Sequence, residues 1–244
     1  MKVKEDFYSD LVERFKAIVE AHHLLEEEIV ITGRTLSVEE AIGNPERRDY
    51  PIIKGKEKLM QAEFKGAKGQ AFTDMAGDFR GSLQEVLNNP LGSNFDRAVL
   101  IAAMNAICRY LGLIEKTIHC HDQQPEQCAE ELVTFIRREY GSPKIALIGY
   151  QPAMLDKLAA VFPLRAVDLD PGNIGKTKSG VRIEGYESTA EVLEWADVIV
   201  ATGSTVVNST ITDYCREKPA VFFGTTGAAT CHLMGLQRFC ARGA

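Results

Sequence analysis

Apolar residues recur at helical spacing near the start of the chain, at Phe7, Leu11, Phe15, Ile18 and Val19. This predicts an amphipathic helix over 5–25. Short β-like pieces follow: Ile29-Val30-Ile31, a turn at Thr32-Gly33-Arg34-Thr35, then Leu36, Val38 and Ala41 before the break at Gly43-Asn44-Pro45. Further strands are expected at 51–53, 59–64 and 71–73. A short helix is expected over 82–88. A stronger one should run from Phe95 to Leu111, capped by Ser93 or Asn94 and stopped by Gly112. Strands first and helices after describe an α+β unit.

The polar stretch 119–127 leads into a helix over 126–139, ended by Gly141-Ser142-Pro143. From Lys144 the rhythm becomes strand–helix alternation. Strands are expected at 144–148, 164–169, 196–201 and 220–223, with helices at 152–162, 188–195 (capped by Ser188) and Val207–Arg216. Apolar strands alternating with helices predict a doubly wound parallel sheet. The expected organisation is an α+β domain at 1–118, a linker and helix at 119–142, and a Rossmann-like α/β domain at 143–244.

The 244 residues, 45% hydrophobic and 25% charged, fit a globular chain with an ample core. No apolar run is long enough to span a membrane, and the charged start reads as no signal peptide. The six cysteines then read as reduced thiols of a cytoplasmic protein. Up to Ser142 there are 18 Lys/Arg against 24 Asp/Glu, and beyond it 10 against 10. Neither part has the basic excess that nucleic acid binding needs.

In open α/β sheets, ligands bind beyond the carboxyl ends of the strands. Four such ends carry Gly149-Tyr150-Gln151-Pro152, Asp168 to Asp170, Thr202-Gly203-Ser204-Thr205 and Gly224-Thr225-Thr226-Gly227. Two of these loops combine glycine with hydroxyls ahead of expected helices. That pattern serves either as helix capping or as an anion site built from main-chain N–H groups. Asp168 lies 19 residues beyond Gly149, near the distance of a ribose-binding acid, but the glycine fingerprint itself is absent. A nucleotide- or S-adenosylmethionine-using transferase, with Asp168 or Asp170 on the ribose, is therefore an alternative. Gly172 to Thr177 is too short for a phosphate loop, and no nucleophile–base pair stands out.

His119-Cys120-His121 with Cys128 gathers metal-capable side chains, and Cys231-His232 offers a second group. Their spacing fits no standard zinc site, so a polar linker with incidental ligands competes with a metal site. Cys108 reads as core, and Cys215 and Cys240 carry no motif.

The stretch Ala196-Asp197-Val198-Ile199-Val200-Ala201-Thr202-Gly203-Ser204-Thr205-Val206-Val207-Asn208-Ser209-Thr210-Ile211 resembles the signature of the family known as putative heavy-metal chelation, long catalogued as a domain of unknown function. Lys144 to Pro152, Phe222 to Ala228 and Ala102-Ala103-Met104-Asn105-Ala106 are similar to further parts of it. Thr225 and Ala228 stand where the family has prolines.

The resemblance implies an enolase N-terminal-like domain packed on a Rossmann-like one, with a polar cleft between them. It implies a metal ion, a metal complex or a small anionic ligand in that cleft, held by Asn105 from one side and by Asn208 and the loops from the other. Gly203, Ser204 and Thr205 would form its floor. If a metal is bound, zinc, nickel, cobalt and iron(II) are the candidates, held by carboxylate, amide and hydroxyl oxygens, with Cys231, His232, His119, Cys120 and His121, which lie outside the family pattern, as softer ligands. A non-catalytic metallochaperone is a third reading, and pairing of the N-terminal sheet into a homodimer is a further expectation.

Overall fold

A computed structural model describes residues 2–32, 36–215 and 218–244. The first half comprises α1 (Lys2–Ala21), β1 (Glu28–Thr32), α2 (Val38–Ile42), β2 (Lys58–Phe64), β3 (Ala67–Thr73), β4 (Phe79–Ser82), α3 (Leu83–Asn88) and α4 (Asn94–Tyr110). The four strands form an antiparallel sheet in the order β3-β2-β1-β4. Capping boxes start α2, α3 and α4 at Ser37, Ser82 and Ser93, each with an acid three residues on.

Next come α5 (Gln124–Tyr140), β5 (Ile145–Ile148), α6 (Pro152–Ala159), β6 (Leu164–Val167), β7 (Thr177–Lys178), β8 (Val181–Glu184), α7 (Thr189–Trp195), β9 (Val198–Thr202), β10 (Ala220–Phe223), α8 (Ala228–Met234) and β11 (Gln237–Phe239). The second sheet runs β11-β10-β9-β5-β6-β8-β7, parallel except for its terminal β8–β7 pair. The chain is thus α/β with a mostly parallel, seven-stranded sheet.

One hydrophobic core joins the two halves. Leu11, Phe15, Val99 and Met104 from α1 and α4 are buried in the same cluster as Ile148, Val206, Phe222 and Ala229. On the opposite face of the parallel sheet, Leu132 and Ile136 of α5 and Leu155 and Leu158 of α6 pack against Leu147, Val200 and Val221. Helix α4 is therefore a shared layer between the two sheets. Gly69 lets β3 lie directly on it: a Cβ there would stand 2.2 Å from the backbone nitrogen of Ala106.

Three local expectations are corrected. Residues 38–42 form a capped helical turn, because the Ser37–Glu40 box outweighs the β-like character read at Leu36, Val38 and Ala41. Residues 51–53 lie in a hydrogen-bonded turn, with Ile53 N–H donating to the Tyr50 carbonyl at 3.0 Å. The helix expected at 207–216 is replaced by 3₁₀ turns at Gly203–Val206 and Ile211–Asp213. There the Thr205 hydroxyl donates back to the Thr202 carbonyl at 2.8 Å, and Ser204 N–H donates to the Thr202 hydroxyl. Such local bonds compete with helix formation, as do the flanking β-branched residues. Arg216, and the turn at Gly33, Arg34 and Thr35, lie outside the described residues.

Candidate functional site

The carboxyl ends of β5, β6, β9 and β10 open onto one cavity of about 490 Å³, closed from the other side by residues of the first half. Gly149 and Asp168 line it, as do Thr202, Ser204, Thr205 and Asn208. So do Gly224, Thr225 and Thr226. The two hydroxylated bends meet rather than diverge. A Cβ on Gly203 would stand 2.5 Å from the Gly227 nitrogen, so the close approach of the bends requires glycine there. Gly149 has φ +88°, and a side chain on it would strike the Thr202 methyl at 2.6 Å.

The first half holds both bends in place. The Tyr8 hydroxyl donates to the Val206 carbonyl, and Arg97 Nε donates to the Val207 carbonyl at 2.6 Å. Phe72 N–H donates to the Thr226 hydroxyl at 3.1 Å. Asn105 is fully buried and does not line the cavity. Its amide donates to the carbonyls of Gln70, Thr225 and Thr226, and its oxygen accepts from Ala229 N–H. All its bonding capacity faces the protein. Its position is behind the bend, as a brace, where the sequence led us to expect it in the cleft.

Several N–H groups around the two bends are consumed inside the fold, whereas those of Thr225, Thr226 and Gly227 have no hydrogen bond among the described residues. Ser204 N–H goes to Thr202, Gly224 N–H to Phe239, Ala228 N–H to Thr225 and Ala229 N–H to Asn105. Asp168 turns back on its own loop. Its Oδ1 accepts from the N–H groups of Leu169 and Asp170, and its Oδ2 from the Asn173 amide. A ribose diol would have to compete for those acceptors.

Sequence reading missed the segment 46–57, which carries no motif. Arg47 fixes it by pairing with Glu126 at 2.7 Å, with Asp49 at 3.2 Å and with Asp156. This brings Tyr50, Lys56 and Glu57 to the cavity. Among the lining residues described, four acids (Glu57, Asp74, Asp168 and Asp170) face one lysine, Lys56, itself paired with Asp170 at 3.1 Å. Burial works against ionisation of Asp170, but the Gly172 N–H and the Lys56 ammonium outweigh it and hold the carboxyl below its usual range. Glu57 has no such compensation. Although the residue keeps partial exposure, burial of its carboxyl, with Asp168 nearby, raises it to about 7. No hydrogen bond reaches it from the described residues.

Two further polar groups on the cavity wall lack partners. The Tyr50 hydroxyl and the Thr225 hydroxyl are buried, and neither has a hydrogen bond among the described residues. Buried polar groups are nearly always paired, so these two wall hydroxyls have bonding capacity left over for a ligand.

The other end of the cavity is lined by His119, Cys120, Cys128 and Cys240. Burial pushes His119 down to about 4, against the bond between its ring nitrogen and the Cys120 carbonyl, with His121 adding to the lowering. Burial first, then the neighbouring Cys128 and Cys240, push the Cys120 thiol far up. Cys231 lies elsewhere, buried against Gly227 and raised to about 12 by burial. His121, Cys231 and His232 do not line the cavity. Among the described residues, no group of three or more His, Cys, Asp or Glu side chains is arranged to hold a metal ion. The expected joint ligand set of the His119–His121 cluster with Cys231 and His232 is therefore not assembled.

Residues 131–233 match the model of the DUF364 family, described as "putative heavy-metal chelation". The resemblance seen in the sequence is shown over that segment. No curated protein matches the chain. Two solved structures share the fold, both of proteins with unknown function from the DUF364 family. One, from Pyrococcus horikoshii, is 18% identical, covers 89% of this chain and 80% of its own, and has a TM-score of 0.54. The other, from Desulfitobacterium hafniense DCB-2, is 13% identical over 73% of this chain and 72% of its own, with a TM-score of 0.51.

Proposed function

We propose that the chain binds one small, positively charged ligand in the cavity at the strand ends, a metal ion carried within a small complex being the first candidate. The observation that carries this is the charge of the wall: four acids against one already paired lysine. A negatively charged ligand would meet repulsion from these carboxylates. The family match over 131–233 supports a metal as part of the cargo. A bare ion needs several protein donors at bonding distance, and no group of three is ready. A complex that brings its own donors has no such need, and it suits a cavity far larger than an ion.

Calorimetric titration of metal-stripped protein tests the reading. The probes are zinc, nickel, cobalt and iron(II) alone, the inert complex hexaamminecobalt(III), and citrate. Salt at about 0.15 M keeps weak surface attraction screened. The expected result is one site per chain for the cobalt complex and tighter binding of it than of citrate. Citrate binding more tightly, or no heat from any positively charged probe, overturns the proposal.

A further inference from the structure

Glu57 and Asp168 differ in a way that specifies chemistry. Asp168 is held rigidly by two main-chain N–H groups and the Asn173 amide. Glu57 faces the same cavity with no hydrogen bond from the described residues, and it is close enough to Asp168 to be repelled by it. A fixed carboxylate beside an unsatisfied carboxyl group calls for a cationic donor between them. Two of the large apolar side chains left most exposed in the molecule, Leu169 and Tyr186, line this same cavity. Leu169 follows Asp168 directly, and the residue remains 48% exposed. Apolar surface beside an acidic pair fits a ligand whose charged head continues into a hydrocarbon portion. The buried, unpartnered hydroxyls of Tyr50 and Thr225 line the same cavity and independently point to a ligand there.

We infer that the cavity takes a protonated alkylamine, its ammonium seated between Glu57 and Asp168 and its alkyl chain against Leu169 and Tyr186. The inference rests on the reading of the cavity as a site for a positively charged ligand. It adds that N–H donors and an alkyl body are what the acidic end recognises. The amine is that of a free organic cation or a pendant amine on the molecule that carries a metal. The ammonium supplies three donors, which meet Glu57, the remaining acceptor capacity of Asp168 Oδ2, and a neighbouring hydroxyl.

The test uses the full chain, stripped of metal, at pH 8. Thermal shift and calorimetry are run with n-butylamine, putrescine and spermidine. Tetramethylammonium, which has charge but no N–H, and hexaamminecobalt(III), which has N–H donors but no alkyl chain, serve as comparisons. At least one alkylamine should bind with one site per chain and more tightly than tetramethylammonium. E57Q should weaken it about tenfold or more, since a charged hydrogen bond is lost, while circular dichroism shows the variant folded. L169S should weaken it independently without affecting hexaamminecobalt(III). Spermidine bound to the amine site should displace a metal complex that carries a pendant amine, and free amine binding without any metal identifies the organic cation as the source. Alkylamines binding no better than tetramethylammonium, or unchanged affinity in E57Q, overturn the inference. If hexaamminecobalt(III) still binds in that case, the reading of a positively charged ligand stands. If no cation binds, both fall.

Discussion

The side-chain oxygen of Asn105 accepts the main-chain N–H of Ala229 at 2.8 Å. The residues are 124 positions apart and belong to different sheets' supporting helices. The amide of the same side chain reaches the carbonyls of Thr225 and Thr226 at 3.3 and 3.1 Å. One buried side chain on α4 thus satisfies three main-chain groups around the bend that follows β10. The cavity wall at Thr225 and Thr226 owes its position to a residue that never touches the cavity.

Removing that brace should unfold the wall locally and destabilise the whole chain. Asn105→Ala leaves three carbonyls, those of Gln70, Thr225 and Thr226, and the Ala229 N–H buried without this partner. A loss of roughly 2–4 kcal/mol is expected, read as a lower urea midpoint with an unchanged slope. N105D should do little better, because it keeps the acceptor for Ala229 while setting a carboxylate against the Thr225 and Thr226 carbonyls. Stability equal to wild type in N105A would mean the brace carries no load.

The raised Glu57 carboxyl makes stability depend on pH with a definite sign. Its folded value, about 7, lies above the ordinary glutamate range near 4.5. Between those limits the folded chain holds the proton more tightly than the unfolded chain. Stability from this group is therefore present below pH 4.5, lost as pH rises toward 7, and constant above that. The effect is at most about 3 kcal/mol. Other groups facing the site, Asp168, Asp170 and Lys56, are present in both proteins compared. E57Q should consequently match wild type near pH 4.5 and exceed it at pH 8, in denaturant titrations at both values. A wild-type advantage at pH 8 would contradict the assignment.

The contrast between legible and illegible parts of the site has a physical origin. Buried parallel strands are continuous apolar runs, so Ile145–Ile148 and Val198–Ala201 announce themselves, and the loops at their ends follow from topology. Asp168 and the bends at 202–205 and 224–226 were readable for that reason. The path of residues 46–57 is set instead by Arg47 meeting acids 79 and 109 positions away. Nothing in local pattern records such pairings, and so Tyr50 and Glu57 were invisible. The helix at 207–216 misled because apolar spacing there is helical, while side-chain bonds at Thr202 and Thr205 turn the chain sooner. Asn105 stood out in the sequence, but only coordinates separate a brace from a ligand contact.

The unpartnered hydroxyls should behave oppositely to the partnered one beside them. Tyr50→Phe and Thr225→Val each delete a buried hydroxyl that has no hydrogen bond among the described residues. Both should leave the ligand-free chain unchanged or more stable, by about 1 kcal/mol at most. Thr226→Val removes the acceptor of the Phe72 N–H, a bond between the two halves, and should cost about 1–2 kcal/mol. Equilibrium unfolding of the three variants checks the order. Equal losses in all three would show that Tyr50 and Thr225 are satisfied in solution.

Cys240 gives a direct report on occupancy of the cavity. It lines the space and remains partly exposed. Cys120 and Cys128 share that wall but are buried, and burial raises both thiols. Cys108 and Cys231 are buried in the core and raised to about 12, and Cys215 is raised to about 11, in each case by burial. Only thiolates react with aromatic disulfides. At pH 8 a single fast-reacting thiol is therefore expected in the native chain, and Cys240→Ser should abolish that phase alone. A ligand large enough to fill the cavity should slow the same phase in proportion to its occupancy. If the fast phase survives in the Cys240→Ser variant, the reactive thiol is another cysteine; if it persists unchanged at saturating ligand, the ligand is not sitting against this wall.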